Sequence, residues 1–204
     1  MKNRKYLVSV IFIILVLLTG CVRRGQYVSI DKQSLKGRGK LYFIPLGDFP
    51  SATTEDLIAF YRSKYDLSIE TRPNLPLKLS VVNTARQQVI AEQLIELVKG
   101  AYPDLVTNTE SIIIGLTTED MYIAQYNWQF SFSWRQEDRY AVISNGRMSL
   151  GASSNDQEKA RLRKMVTKNI GILYYRLPQS NDPRSVLYKD VGGISELDYM
   201  GEEF

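Results

Sequence analysis

The chain contains no histidine. That absence excludes the Ser-His-Asp triad, the Cys-His pair and every histidine-ligated zinc site. Cysteine is nearly as scarce, with Cys21 the one copy in 204 residues. One cysteine closes no disulfide within the chain, and once acylated it offers no thiolate to a metal. Excess charge is also lacking. The formal net charge is +4, and Lys2, Arg4 and Lys5 at the very start supply most of it. The rest of the chain is close to neutral and carries no nucleic-acid footprint. There is no internal repeat and no interdomain linker, so the remainder fits one domain with a sizeable core.

What is present begins with an export pattern. Lys2, Arg4 and Lys5 precede Leu7 to Leu18 (LVSVIFIILVLL), an almost wholly apolar run. It suits a signal-peptide core and falls short of the roughly 20 residues a spanning helix needs. Leu18-Thr19-Gly20-Cys21 follows and resembles the lipobox of bacterial lipoproteins. The resemblance implies a diacylglyceryl thioether on Cys21, cleavage before it, and acylation (palmitate or similar) of the new amino terminus. The competing reading is an uncleaved anchor with an incidental cysteine. The order of charge, apolar length, small residues and cysteine favours the lipobox. Each buried methylene contributes about 0.8 kcal/mol, so two or three chains anchor a protein stably where one does not. The expected organisation is a signal over 1–20, a polar tether over 21–39 with Gly25, Gly37 and Gly39, and one domain over 40–204. The address is extracytoplasmic, at the cell membrane or outer membrane; Val22 in place of aspartate resembles outer-membrane sorting.

Within the domain, Lys40–Leu46 (KLYFIPL) reads as a buried strand. Thr53-Thr54-Glu55-Asp56 reads as a helix start with Leu57, Phe60 and Tyr61 on its apolar face. A short strand at Leu67–Thr71 and a helix at Ala85–Val98, stopped by Gly100 and Pro103, follow. Ser111–Leu116 is apolar enough for a central strand. Trp128, Phe130, Phe132 and Trp134 alternate with polar residues, which predicts a strand with four rings on one face. Tyr140–Ser144 is its hairpin partner. A last helix is predicted over Asp156–Tyr174, closed by Pro178, and Gln179–Phe204 reads as loop. Strand-helix alternation predicts an α/β fold: a mixed sheet flanked by helices in three layers.

Gly115 to Tyr122, Asn127 to Phe130 with Ala141 to Met148, and Lys168 to Tyr188 are three segments that together resemble archaemetzincin-like zinc proteases, a branch of the metzincins. Gly115-Leu116-Thr117-Thr118-Glu119-Asp120-Met121-Tyr122 is similar to that family's Gly-x-Thr-x-x-Asp-Leu-Tyr strand end. Asn127-Trp128-x-Phe130 with Ala141-Val142-Ile143-Ser144-x-x-Arg147-Met148 is similar to its aromatic strand and Ala-Val-x-Ser-x-x-Arg-Leu segment. Lys168 to Tyr188 is similar to its zinc helix and Met-turn. The resemblance covers about residues 40 to 200 and implies a single metzincin-like domain. The family's chemistry lies in His-Glu-x-x-His-x-x-Gly-x-x-His. Two histidines four apart share a helix face, and the glutamate is the general base for metal-bound water. Aligned on Gly171, Lys168 falls at the first ligand, Asn169 at the glutamate, Ile172 at the second ligand, Tyr175 at the glycine and Pro178 at the third ligand. Leu187 falls at the methionine of the Met-turn.

The side-chain chemistry points the same way. A protonated amine has no lone pair for zinc, Ile172 has none at all, and Asn169 cannot take a proton from water. No catalytic residue, metal or cofactor is therefore expected, and the chain reads as a pseudoprotease. Two placements are open for Lys168: a positive charge at the vacated metal position, or a solvated lysine on the helix surface. The aromatic residues Trp128, Phe130, Phe132 and Trp134 have two readings as well, core packing or a sugar- or peptide-binding platform, and the family resemblance implies for the latter a cleft strand that captures peptide by strand addition. Glu119-Asp120 reads as a turn or cap. Glu196, Asp198, Glu202 and Glu203 fit no calcium-loop spacing and read as a solvated acidic tail. Tyr174-Tyr175-Arg176 reads as half-buried packing. The leading expectation is an anchored envelope lipoprotein that binds peptide or an envelope protein. The rivals are an active hydrolase with an unseen site, and an assembly lipoprotein that uses the fold as scaffold.

Overall fold

The computed structural model describes residues 34–204. The expected signal, Cys21 and most of the tether lie outside the described residues. Among the described residues no helix is long and apolar enough to cross a membrane.

The elements run β1 (Lys40–Leu46), α1 (Ser51–Tyr65), β2 (Ile69–Thr71), β3 (Val82–Asn83), β4 (Gln88–Ile90), α2 (Ala91–Ala101), α3 (Pro103–Thr107) and β5 (Ser111–Thr117). They continue with β6 (Met121–Tyr122), β7 (Ser133–Gln136), β8 (Tyr140–Ser144), α4 (Asn155–Leu173) and α5 (Ile194–Tyr199). The main sheet has the order β2-β1-β5-β8-β7. All its pairs are parallel except β7 with β8, a hairpin on the edge. β3, β4 and β6 form a second small sheet. The mixed α/β fold is as the strand-helix alternation predicts.

Parallel central strands are covered on both faces, which is why β1 and β5 are apolar runs rather than alternating ones. Phe43, Ile112, Ile114 and Ile143 face one layer, with Leu57 and Tyr61 of α1 and Leu162, Met165 and Ile170 of α4. Tyr42, Ile44, Ile113 and Val142 face the other, against Leu94, Ile95 and Val98 of α2. The sheet thus lies between α1, α4 and α5 on one side and α2 and α3 on the other.

Several local expectations change. The helix expected from Ala85 starts at Ala91, because Gln88–Ile90 pairs with β3 and β6 instead. Asn83 makes the turn: its Oδ1 accepts from the backbone N–H groups of Ala85 and Arg86 at 3.1 and 3.2 Å, a local bond that competes with helix. Gly100 is inside α2, and Pro103 opens α3 at a position where its missing N–H costs nothing. The carboxy-terminal stretch is not all loop, since α5 lies in it.

Nor is the acidic tail solvated as a whole. Asp198 pairs with Arg161, Glu202 with Arg163 and Glu203 with Lys64, which ties the tail to α4 and α1. The tether also ends earlier than expected. Leu35 packs beside Phe204 and Val186, and Arg38 donates from its backbone to Tyr174 O and from Nε to Leu173 O, both at 3.0 Å. Arg38 thereby satisfies carbonyls at the open end of α4.

Candidate functional site

A cleft of about 770 Å³ opens between the edge of the sheet and the 189–192 loop, with α4 as its floor. Its walls are the 127–132 segment, β7 and residues Lys189–Gly192. Met165 and Lys168 reach it from α4, and Arg135 from β7.

The aromatic wall departs from the predicted ladder. The strand starts only at Ser133, and the four rings do not share a face. Phe132 is buried in the α4-side core, while Trp134 packs against the α2-side core. Phe130 meets Phe132 edge-on at 5.1 Å, and Trp128 stacks on Tyr126 at 4.6 Å while remaining 55% exposed. The reason lies in the backbone partners of this segment. Arg86 Nη2 donates to Trp128 O at 3.0 Å and to Gln129 O at 2.8 Å, and Gln88 Nε2 donates to Gln129 O at 2.9 Å. Side chains, rather than a neighbouring strand, therefore hold residues 128–129, and the period of two fails there.

The segments that carried the family resemblance brace this wall. Arg147 forks onto Asp120 at 2.8 and 2.7 Å and lies 4.4 Å from the centre of the Phe130 ring. Gln88 Nε2 adds a bond of 3.0 Å to Asp120 Oδ2. Ser144 Oγ donates to Glu119 O and accepts from Gly146 N–H. At Gly146 a Cβ would lie 2.7 Å from Thr118 O and Asp120 N, so only glycine fits. Asp120 is thus a turn brace, as expected, rather than half of an acid-base pair.

α4 starts as its sequence predicts. Ser154 Oγ accepts from Gln157 N–H at 3.3 Å, with Asp156 and Glu158 in the first turn. Its last third supplies the cleft floor. Lys168 is only 3% exposed, and its ammonium donates to Tyr188 O. The solvated placement of Lys168 is therefore wrong, because the side chain faces the cleft. Burial, then repulsion from Arg135, pulls its pKa down to about 8, with Asp190 opposing weakly. Asn169 is fully buried; its Nδ2 donates to Met165 O at 2.7 Å and its Oδ1 accepts from Arg135 Nη1 at 3.1 Å. Burial also lowers the pKa of Arg135.

Ile172 and Pro178 go elsewhere. Ile172 packs against the cluster of Val186, Leu187 and Phe204, and Pro178 is exposed. Neither lines the cleft. Gly171 permits the close approach of that cluster: a Cβ there would meet the Phe204 ring at 2.5 Å and Leu187 Cδ2 at 2.8 Å. The structure thus brings Lys168 to the cleft, buries Asn169 outside the cleft lining against Arg135, and separates both from the other two positions. Arg135 and Asp190 belong to the site and were not singled out in the sequence. The one available signal was a basic residue directly after the aromatic segment, next to Trp134.

This fold is similar to that of two solved archaemetzincins and a solved zinc-dependent peptidase. An archaemetzincin from Archaeoglobus fulgidus, solved with malonate, matches with a TM-score of 0.66 and 19% identity over 81% of this chain and 94% of that one. An archaemetzincin from Methanopyrus kandleri matches at 0.63 and 19%, over 81% and 89%. A zinc-dependent peptidase from Methanocorpusculum labreanum matches at 0.65 and 14%, over 80% and 95%. No family model matches the chain, and no curated protein does.

The zinc that such a fold implies does not fit the residues at this cleft. Among the described residues no three His, Cys, Asp or Glu side chains come together. The lining instead presents the ammonium of Lys168 and the guanidinium of Arg135, both of which repel a cation.

Proposed function

We propose that this protein is a lipid-anchored envelope lipoprotein that captures peptide in the cleft and does not cut it. The observation that carries the reading is the floor itself. A water-activating site needs lone pairs toward a metal and a base, and this floor offers the Lys168 and Arg135 donors, with the Asn169 amide buried against Arg135. The open edge of the sheet supports peptide as the ligand class. β7 pairs with β8 alone. Phe132 O accepts from Ser144 N–H at 3.0 Å, so ladder alternation turns the backbone of Ser133 and Arg135 outward; Ser133 O is taken by Ser131 Oγ at 2.8 Å, which leaves the Ser133 N–H and the Arg135 N–H and C=O facing the open edge. An extended chain added there would gain backbone bonds along the cleft wall. The zinc-dependent peptidase among the structural neighbours also favours peptide.

The anchor is Cys21, with residues 1–20 removed and the domain held outside the cytoplasm. Two measurements test the proposal. The full chain expressed in bacteria should take up labelled palmitate and fractionate with membranes, and C21S should do neither. The detergent-purified chain should retain peptides from a randomised pool, with mass spectra showing no new cleavage products. Stoichiometric zinc with peptidase activity would overturn the reading. Selective capture of one large envelope protein, with no peptide retained, would favour the scaffold reading.

A further inference from the structure

The basic side chains near the base of the fold fall into two groups. Arg161, Arg163, Lys64 and Arg147 each have a carboxylate partner. Lys168 and Arg135 have no ion pair among the described residues, although both are largely withdrawn from water. An ammonium has three N–H donors and Lys168 spends one, on the Tyr188 carbonyl. A guanidinium has five, and Arg135 spends one, on Asn169 Oδ1. The cleft beside them is lined by Phe130, Phe132 and Trp134 together with the neutral polar residues Asn127, Gln129, Ser131 and Ser133; its one carboxylate, Asp190, sits largely exposed at the rim, 3.9 Å from Lys189, and makes no ion pair with either cation. Buried charges are ordinarily paired. Here the missing partner is an anion, and the space for it is the cleft.

We propose that Lys168 and Arg135 form a carboxylate receptor, so that the cleft takes the free carboxyl end of a peptide rather than the middle of a chain. This rests on the reading of the cleft as a peptide site and makes it more specific. Arg135 is placed for both tasks. Its backbone faces the open edge of β7, where an added strand would pair, and its side chain reaches the floor toward α4. A chain laid along β7 would end where the two cations converge. The guanidinium fork can hold both oxygens of a carboxylate, and the ammonium can add a third bond. A free small dicarboxylate would satisfy the same chemistry.

The experiment separates these sources. The full chain in detergent micelles is equilibrated with randomised tetrapeptides bearing free carboxyl ends, and separately with the same pool amidated. Retained peptide is counted by mass spectrometry. The free-acid pool should be retained about tenfold or more over the amidated pool, the expected worth of charge-assisted bonds. R135Q and K168Q should each remove most of that preference, with unchanged circular dichroism. Equal retention of the two pools by the wild type overturns the receptor and leaves peptide capture standing. If neither pool is retained but succinate shifts the Lys168 Nζ resonance, the receptor stands and the peptide reading falls. If succinate fails as well, or inorganic phosphate competes better than succinate, the carboxylate proposal is overturned.

Discussion

Helix α4 carries two buried cations about two turns apart, and they are treated in opposite ways. Arg161 is 1% exposed and spends four of its five donors: it forks onto Asp198 at 2.6 and 2.7 Å and donates to the carbonyls of Met148 and Leu150. Lys168 is 3% exposed and has one carbonyl. The first joins α4 to α5 and to the loop after β8. The second faces a cleft with its charge uncompensated. The difference separates a charge buried for structure from one buried beside an open site, and burial alone does not distinguish them.

The largest expected effect lies at the Arg161 end. R161M leaves Asp198 without its partner and the carbonyls of Met148 and Leu150 without their donor. Asp198 is 35% exposed and keeps the Gln157 amide at 3.2 Å, so the loss falls mainly on the two orphaned carbonyls and comes to about 3 kcal/mol. Urea unfolding of R161M should show that loss. A change below about 1 kcal/mol would mean the staple is ornamental.

The other end should respond with the opposite sign. Lowering the Lys168 pKa from 10.5 to about 8 costs the folded state about 3 kcal/mol near neutral pH. K168M keeps the volume and removes that cost, at the expense of one bond to Tyr188 O. The variant should therefore be more stable than wild type by about 2 kcal/mol. Destabilisation by K168M would place Lys168 with Arg161 as a structural charge.

A pH series on the wild type asks the same question without mutation. Unfolded, the Lys168 amine holds its proton up to about pH 10.5; folded, it releases it near 8. Between those values the unfolded chain binds more protons, so stability should rise with pH, by up to about 1.4 kcal/mol per pH unit. K168M should lack this rise. Burial holds the Tyr65 and Tyr175 hydroxyls above their usual range. Those groups reverse the trend above about pH 10, where the unfolded tyrosines ionise first.

How much of this was legible in the sequence follows from the range of the forces involved. β1, β5, β8 and α4 were readable because each carries its burial pattern in consecutive residues. The aromatic wall was not, because Arg86 and Gln88, distant in sequence, decide that Trp128 and Gln129 leave the ladder. The acidic tail was misread for the same reason: its partners Lys64, Arg161 and Arg163 are also far along the chain. The site was half legible. The family resemblance pointed to Lys168 and Asn169, but a motif alignment cannot show that Ile172 turns into the Phe204 cluster. Arg135 gave no signal of its own, since an arginine in a strand is informative only once its neighbours on α4 are known.

The smallest expected effect on stability comes from the rim and separates binding from folding. Trp128 is 55% exposed and its main contact is the stack on Tyr126. The backbone of its segment is held by Arg86 through carbonyl oxygens, which W128A leaves in place. Stability should therefore change by no more than about 0.5 kcal/mol. Peptide retention is a different matter, because an indole at the mouth of a cleft offers apolar area at low entropic cost. W128A should weaken retention of both the free-acid and the amidated pools by the same factor, about three- to tenfold. R135Q, by contrast, should weaken retention of the free-acid pool alone. Equal losses from the two variants in both pools would mean that the floor and the rim act as one apolar surface, and that the charge of Lys168 and Arg135 has no part in choosing the ligand.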